Sequence, residues 1–337
     1  METVEVVING MGRIGRTLFR LMLERSGFSI KSVNDPMATE TIAHLLKYDT
    51  VRGTLNVPVS CSGDILVAGG REVPVTHYES PLSVPPGGFQ SDILIESSGR
   101  YPGGKLSHFT DLGARAVILS CPSREKVDRT IVIGVNEQEL SREDRIVSNA
   151  SCTANCVCPL LHVIDKTLGV ESAFLNTVHP YTNSQNLVDS MHKDLRRARA
   201  AGANIIPTST SAVEAAVEVL PRLKGRFEGI STRVPVIGGA LSDLVIVLKK
   251  KTSRDELNEI VKDAAETSMK GVIQYVEDPI VSSDILSNPH SCIFDSLLTK
   301  VMDGDKARLI AWYDNEYGFS CRVADLALLM GKQLTGV

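Results

Sequence analysis

Val4-Glu5-Val6-Val7-Ile8-Asn9-Gly10-Met11-Gly12-Arg13-Ile14-Gly15-Arg16 is the stretch that decides the fold. A run of β-formers, Val4–Ile8, enters the Gly-rich turn Asn9–Gly15, and apolar Ile14, Leu18, Leu21 and Met22 follow at helical spacing. Asp35 ends the next predicted strand, Ser29–Asn34. A Gly-x-Gly-x-x-Gly motif between strand and helix, with an acidic residue about 20 positions on, is a dinucleotide fingerprint. Gly10 permits the tight turn, Gly12 lets the backbone approach a diphosphate, and Gly15 lets the helix pack closely. Unpaired N–H groups at the start of the helix, around Arg13 and Ile14, then face the anion. Asp35 accepts hydrogen bonds from ribose hydroxyls and repels a 2′-phosphate, so NAD is expected over NADP, with Arg13 able to offset part of that preference.

Outward from this motif, the first 150 residues alternate short apolar runs with amphipathic stretches. A helix is predicted over Thr39–Tyr48, and strands over Ile65–Val67, Asp92–Glu96, Arg115–Ser120, Thr130–Gly134 and Ile146–Ser148. This is α/β organisation: a Rossmann domain with a parallel sheet covered on both faces. After residue 150 the strands lengthen, at Ser172–His179, Gly229–Val236, Asp243–Lys249 and Ala307–Tyr313, and helices are fewer, at Cys152–Leu168, Ser211–Leu220 and Ser253–Thr267. The expected second domain, 151–314, is α+β with a mixed or antiparallel sheet. A last helix within 315–337 is expected to return to the dinucleotide-binding domain, 1–150.

The 337 residues are 43% hydrophobic, ample for a core that needs neither metals nor disulfides. Thirty-six basic residues against forty acidic ones argue against nucleic acid as a partner. No run of about 18 apolar residues predicts a membrane span. Met1-Glu2-Thr3 leads straight into a strand without a signal-peptide pattern, and seven irregularly spaced cysteines read as reduced thiols, so a cytoplasmic protein is expected.

Most of those cysteines read as small buried hydrophobes, Cys156 among them. Cys152 differs. In Asn149-Ala150-Ser151-Cys152-Thr153-Ala154-Asn155 small polar residues precede an apolar helix, with Ser151 or Asn149 as N-cap. Cys152 then falls in the first turn, where the helix dipole is expected to lower the thiol pKa. Zinc is disfavoured because Cys152, Cys156 and Cys158 share one helix, and no metal is expected. His179, at the end of a predicted strand, is a candidate base. His192–Arg199 reads either as a solvated helical face or as cations for a phosphorylated substrate.

Together with Asn34-Asp35-Pro36, Ser151–Cys156, Thr177–Thr182, His192–Arg199, Asn204–Pro207, Arg233-Val234-Pro235 and Tyr313–Glu316, the opening motif resembles the glyceraldehyde-3-phosphate dehydrogenase family. The resemblance spans essentially the whole chain. It implies that Cys152 attacks an aldehyde, that His179 takes the proton while hydride passes to NAD, and that inorganic phosphate cleaves the thioester. It places Thr182 and Arg233 at the substrate phosphate, and Ser151, Thr153, Arg197 and Thr210 at the attacking phosphate. Asn315 falls to the nicotinamide carboxamide, and Ser98 and Ser120 to the cofactor lining. It further implies a homotetramer, with Tyr181–Ala201 near a neighbouring subunit's cofactor.

The chain departs from the family pattern at four places. Ala154 lacks the usual hydroxyl. Ser211 replaces a glycine bordering the second anion site, where it either crowds the phosphate or donates to it. Gly238-Gly239 is expected to loosen a strand, and Phe319 replaces a tyrosine. Two alternatives accompany the main reading: the same chemistry on erythrose 4-phosphate, and a non-catalytic NAD- or nucleic-acid-binding paralogue.

Overall fold

The computed structural model describes residues 3–100 and 106–335. The chain divides into two compact units, Met1–Ile131 with Asn136–Ala150 and Ser320–Val337, and Val132–Val135 with Ser151–Phe319.

In the first unit the strands are β1 (Val4–Asn9), β2 (Phe28–Asn34), β3 (Val59–Ser62), β4 (Ile65–Ala68), β5 (Arg71–Thr76), β6 (Ser91–Glu96), β7 (Ala114–Leu119), β8 (Arg129–Thr130) and β9 (Ile146–Ser148). The helices are α1 (Arg13–Glu24), α2 (Thr39–Lys47) and the short α3 (Ser107–Asp111). The sheet order is β3-β4-β5-β2-β1-β6-β7-β9-β8. From β5 to β8 every pairing is parallel, and Val6, Ile8, Ile93, Leu94, Val117 and Ile118 are fully buried in it. The sheet is nevertheless mixed, because β3, β4 and β5 form an antiparallel meander. Its outer strands escaped sequence reading: Val59-Ser60-Cys61-Ser62 is barely apolar, and β5 carries Pro74 opposite Ile65. The strand expected over Thr130–Gly134 shrinks to β8, because Gly134 adopts a left-handed φ of 89°.

Buried Arg20 of α1 donates to the carbonyl oxygens of Leu46 at 2.6 Å and Gly53 at 3.2 Å. It thereby satisfies the orphan acceptors at the end of α2 with a cation suited to that end of the dipole.

The second unit holds β10 (Val170–Pro180), β11 (Ile206–Thr208), β12 (Phe227–Val234), β13 (Ala240–Leu248), β14 (Ile273–Val276), β15 (Cys292–Asp295), β16 (Lys300–Met302) and β17 (Lys306–Tyr313), with helices α4 (Cys152–Thr167), α5 (Ala212–Val219) and α6 (Arg254–Glu266). The sheet runs β11-β12-β10-β13-β17-β15-β14, with β16 pairing β17. It is mixed: β10 lies parallel to β12 and antiparallel to β13. Burial alternates along β10, so Ala173, Leu175, Thr177 and His179 face inward while Phe174 is 63% exposed.

Gly238-Gly239 corrects an expectation. The pair lies in the turn between β12 and β13 rather than in a strand, and Gly239 has φ 80°. A Cβ there would stand 2.4 Å from the Ser282 carbonyl oxygen, so the glycine tightens a close approach. His192–Arg199 is likewise not a helical face but a succession of bends and turns. The last helix, α7 (Tyr317–Thr335), is preceded by Asp314, whose Oδ1 accepts from the Glu316 and Tyr317 amides at 2.9 and 2.8 Å. From Ser320 onward it belongs to the first unit, where Asp325 pairs with Arg25 at 2.6 Å and Gly331 packs on Val4. Among the described residues no helix is long and apolar enough to cross a membrane.

Candidate active site

The first unit builds a polar pocket at the carboxyl ends of its parallel strands, the usual ligand position in such sheets. Gly10, Gly12, Asp35 and Ser98 line it with Asn9, Asn34, Tyr78 and Arg100, among others. Gly10 has φ 99°, and a Cβ on it would lie 2.4 Å from the Ser98 backbone. Gly15 admits no side chain either: its Cβ would fall 1.9 Å from the Gly10 carbonyl oxygen, so the third glycine packs on the first. Around Gly12, by contrast, nothing lies within 4 Å of a Cβ position. That open space at the N-cap of α1 is the cradle a diphosphate needs, and the residues present fit a dinucleotide.

Asp35 is held by the amides of Met11 at 2.7 Å and Met37 at 2.9 Å, one on each carboxylate oxygen. Arg13 forms an ion pair with Asp49, which holds that carboxyl below its ordinary range despite burial. The guanidinium is therefore engaged, where sequence reading had offered it as an offset to Asp35. Arg13, Ile14, Gly15 and Ser120 stand outside the pocket lining. Ser120 Oγ donates to the Glu96 carbonyl at 2.9 Å.

Beneath the pocket runs a buried chain that sequence reading missed. The Glu96 carboxylate binds Asn9 Nδ2 and the Ser98 hydroxyl, and accepts from the Ser98 amide at 2.8 Å. Asn34 Nδ2 in turn donates to Asn9 Oδ1 at 2.7 Å. Burial pushes the Glu96 carboxyl up, against these bonds. Its one signal in the sequence is a carboxylate ending the otherwise apolar run Ile93-Leu94-Ile95.

In the second unit Ser151 caps α4: its Oγ accepts from Ala154 N at 3.0 Å, and its carbonyl accepts from Asn155 N at 2.9 Å. Ala150, just before it, holds a left-handed φ of 57°. Cys152 opens the helix, and its Sγ stands 3.6 Å from His179 Nε2. The Cys152 and Thr153 amides turn toward the sulfur. Parallel pairing of β10 with β12 sets Arg233 beside His179, with Nη1 2.7 Å from His179 Nδ1.

Burial pushes the Cys152 thiol up, against the Arg233 guanidinium and the Thr153 hydroxyl and amide. Desolvation of the thiolate thus opposes the lowering expected at a helix start. Burial, with Arg233 adding to it, takes the His179 imidazole down to about 3. All seven cysteines are free; Cys156, Cys158, Cys292 and Cys321 are buried, whereas Cys61 and Cys121 are half-buried. Among the described residues no group of three His, Cys, Asp or Glu side chains suits a metal ion.

Tyr313, fully buried and carrying no role legible from its motif alone, ties the site together. Its hydroxyl lies 2.7 Å from Thr153 Oγ1 on α4 and 2.8 Å from Thr177 Oγ1 on β10. Thr153, expected at an anion site, shares its hydroxyl with Tyr313. Tyr313→Phe deprives two buried hydroxyls at once and is expected to lower unfolding free energy by about 2 kcal/mol, read from denaturant titration.

Arg197 is oriented by Thr208 Oγ1, which accepts from Nε at 2.7 Å, and by the Ser209 carbonyl, which accepts from Nη2 at 3.1 Å. Thr208 Oγ1 itself donates to Asp194 at 3.0 Å. Thr182 pairs with Ser184 Oγ at 3.0 Å, just after β10. Thr210 accepts from Ala212 N at 3.1 Å, and exposed Ser211 begins α5 without a side-chain cap. Asn315 Oδ1 accepts from Gly239 N at 3.2 Å.

Two family profiles match the chain: "Glyceraldehyde 3-phosphate dehydrogenase, NAD binding domain" over residues 4–103, and "Glyceraldehyde 3-phosphate dehydrogenase, C-terminal domain" over 151–315. Glyceraldehyde-3-phosphate dehydrogenase 2 of Streptomyces avermitilis is 46% identical over 98% of this chain and all of its own length. Glyceraldehyde-3-phosphate dehydrogenase of Borreliella burgdorferi is 45% identical over the same shares. The second such enzyme of Bacillus subtilis is 45% identical over 96% of this chain and 95% of its own.

Proposed function

The chain belongs to the glyceraldehyde-3-phosphate dehydrogenase family, and on that premise we propose that its NAD-dependent oxidation of glyceraldehyde 3-phosphate runs through Cys152 and His179. The observation that carries this reading is the 3.6 Å approach of a helix-opening thiol to the Nε2 of an inward-facing strand-end histidine. Cys152 Sγ adds to the aldehyde carbon, and the Cys152 and Thr153 amides, not consumed by the Ser151 cap, serve the developing oxyanion. His179 Nε2 accepts the thiohemiacetal proton as hydride departs. Gly10, Gly12 and Asp35 would hold NAD, which when bound would supply the hydride acceptor. The resulting thioester on Cys152 is cleaved by inorganic phosphate held by Ser151, Thr153, Arg197 and Thr210, with Ser211 at its border, while Thr182 and Arg233 hold the substrate's own phosphate. Erythrose 4-phosphate and a non-catalytic role are not favoured, since the relatives above are all named for the three-carbon substrate.

The test measures NADH formation from both aldehydes, with and without inorganic phosphate. Glyceraldehyde 3-phosphate should be preferred and turnover should require phosphate. Equal rates without phosphate would sink the phosphorylating reading.

Asp35 is assigned the ribose hydroxyls and the rejection of NADP. In Asp35→Asn the charge that repels a 2′-phosphate is gone, and the ratio of kcat/KM for NAD over NADP is expected to fall by about tenfold.

The first unit is assigned as the NAD-binding domain and the second as the catalytic and oligomerisation domain of a cytoplasmic homotetramer. The exposed sheet face bearing Phe174, Ile230 and Val245 supports self-association, as does the loop bearing Leu187, Met191 and Leu195.

A further inference from the structure

Asn315 stands where a β-ladder ends and a helix is about to begin. Antiparallel pairing of β13 with β17 closes at Ala240 opposite Tyr313, so Gly239 is the first residue beyond the ladder. The Gly239 N–H is taken by the Asn315 side chain, whose Oδ1 accepts it at 3.2 Å. A backbone N–H only donates, so this bond settles how the side-chain amide is turned, with its oxygen toward Gly239. The turn is too tight to admit a side chain. Gly239 holds a φ of 80°, and a Cβ on it would stand 2.4 Å from the Ser282 carbonyl oxygen.

The backbone at Asn315 is held from the other side by Asp314, which is 1% exposed. Asp314 Oδ2 accepts from the Ser287 amide at 2.7 Å, and Oδ1 accepts from the Glu316 and Tyr317 amides at 2.9 and 2.8 Å. Ser287 keeps a left-handed φ of 63° at this contact. One buried carboxylate thus ties the two residues after Asn315 to a neighbouring loop, while Asn315 itself stays half-buried between buried Asp314 and Glu316. A planar carboxamide ligand presents a donor and an acceptor on fixed sides, so it needs a partner amide whose backbone and rotation are both determined.

We propose that Gly239 and Asp314 are positioning residues for the nicotinamide, acting through Asn315. Asp314 fixes the backbone of Asn315, and the Gly239 N–H fixes the rotation of its side-chain amide. The inference rests on the assignment of Asn315 to the nicotinamide carboxamide. A nicotinamide ring turned over about its glycosidic bond carries its carboxamide to the opposite side. An anchor of fixed orientation therefore selects the face of the ring that receives hydride. The glycine that tightens the turn after β12 is thereby the one whose amide orients Asn315.

The test uses the full chain and compares NAD with ADP-ribose, which keeps the adenosine and diphosphate but lacks the nicotinamide. Asp314→Asn sets an NH2 against a backbone N–H, and Gly239→Ala forces the turn away from Ser282. In both, NAD should bind about tenfold more weakly by calorimetry, while ADP-ribose should bind within about twofold of the unsubstituted chain. With an aldehyde deuterated at C1, the unsubstituted chain should deliver deuterium to a single face of the ring, and both variants to both faces. Asn315→Ala should show the same NAD-selective loss. Unchanged NAD binding and facial selectivity in Asn315→Ala overturn the carboxamide assignment and the proposal with it. A loss in Asn315→Ala that either of the other variants escapes overturns the proposal and leaves the assignment standing. Equal loss of NAD and ADP-ribose marks a general loosening of the fold and overturns the proposal as well. If neither variant folds, hydrogen exchange decides. The Gly239 amide should be protected in the unsubstituted chain and released in Asn315→Ala, and equal exchange in the two overturns the proposal.

Discussion

Cys152→Ala should abolish NADH formation, with turnover down by roughly 10⁴–10⁶-fold, the scale on which covalent enzymes lose activity without their nucleophile. Nothing else in the site can form the thioester. Cys156 and Cys158 share the helix but are fully buried, and burial pushes the Cys121 thiol up to about 11. The fold should survive, because Ser151 and not Cys152 caps α4. Calorimetry should therefore find NAD binding intact, which separates lost chemistry from lost structure. Cys152→Ser should fare little better, since a hydroxyl ionises far less readily than a thiol and His179 is a weak base where it stands. NADH formation by Cys152→Ala within tenfold of the unsubstituted chain would refute the assignment.

How much of this was legible beforehand differs by residue. Gly10, Gly12 and Gly15 sit in one unbroken segment, so local spacing revealed both the turn and its purpose. Cys152 was legible for the same reason: a cap and an apolar run announce a helix start. The partnership of Arg233 with His179 was not, since 54 residues separate them and only the parallel register of β10 with β12 joins them. Tyr313 bridging Thr153 and Thr177 is equally non-local. The balance at the Cys152 thiol was not legible, because sequence shows the helix dipole but not the desolvation that opposes it. Of the antiparallel meander only its middle strand β4 was legible, because the short β3 and β5, with serine and proline, carry little alternation to read.

His179→Gln should lower kcat by roughly 10²–10⁴-fold, the usual contribution of a positioned acid–base group. The amide keeps a donor near the oxyanion but has no lone pair basic enough to take the thiohemiacetal proton, so KM for the aldehyde should move much less than kcat. A second readout follows from burial. In the unfolded chain the imidazole takes a proton near its ordinary 6.5, whereas in the fold it resists until about 3. Between those values the unfolded state binds the extra proton, so this residue's contribution to stability is lost as pH falls through 6.5 and continues to drop toward 3. Glutamine does not titrate. Denaturant titrations near pH 7 and pH 5 should therefore show the unsubstituted chain losing about 2 kcal/mol more than His179→Gln over that interval. Equal losses would mean that His179 is not held neutral, and the base would then need another route to its free Nε2 lone pair.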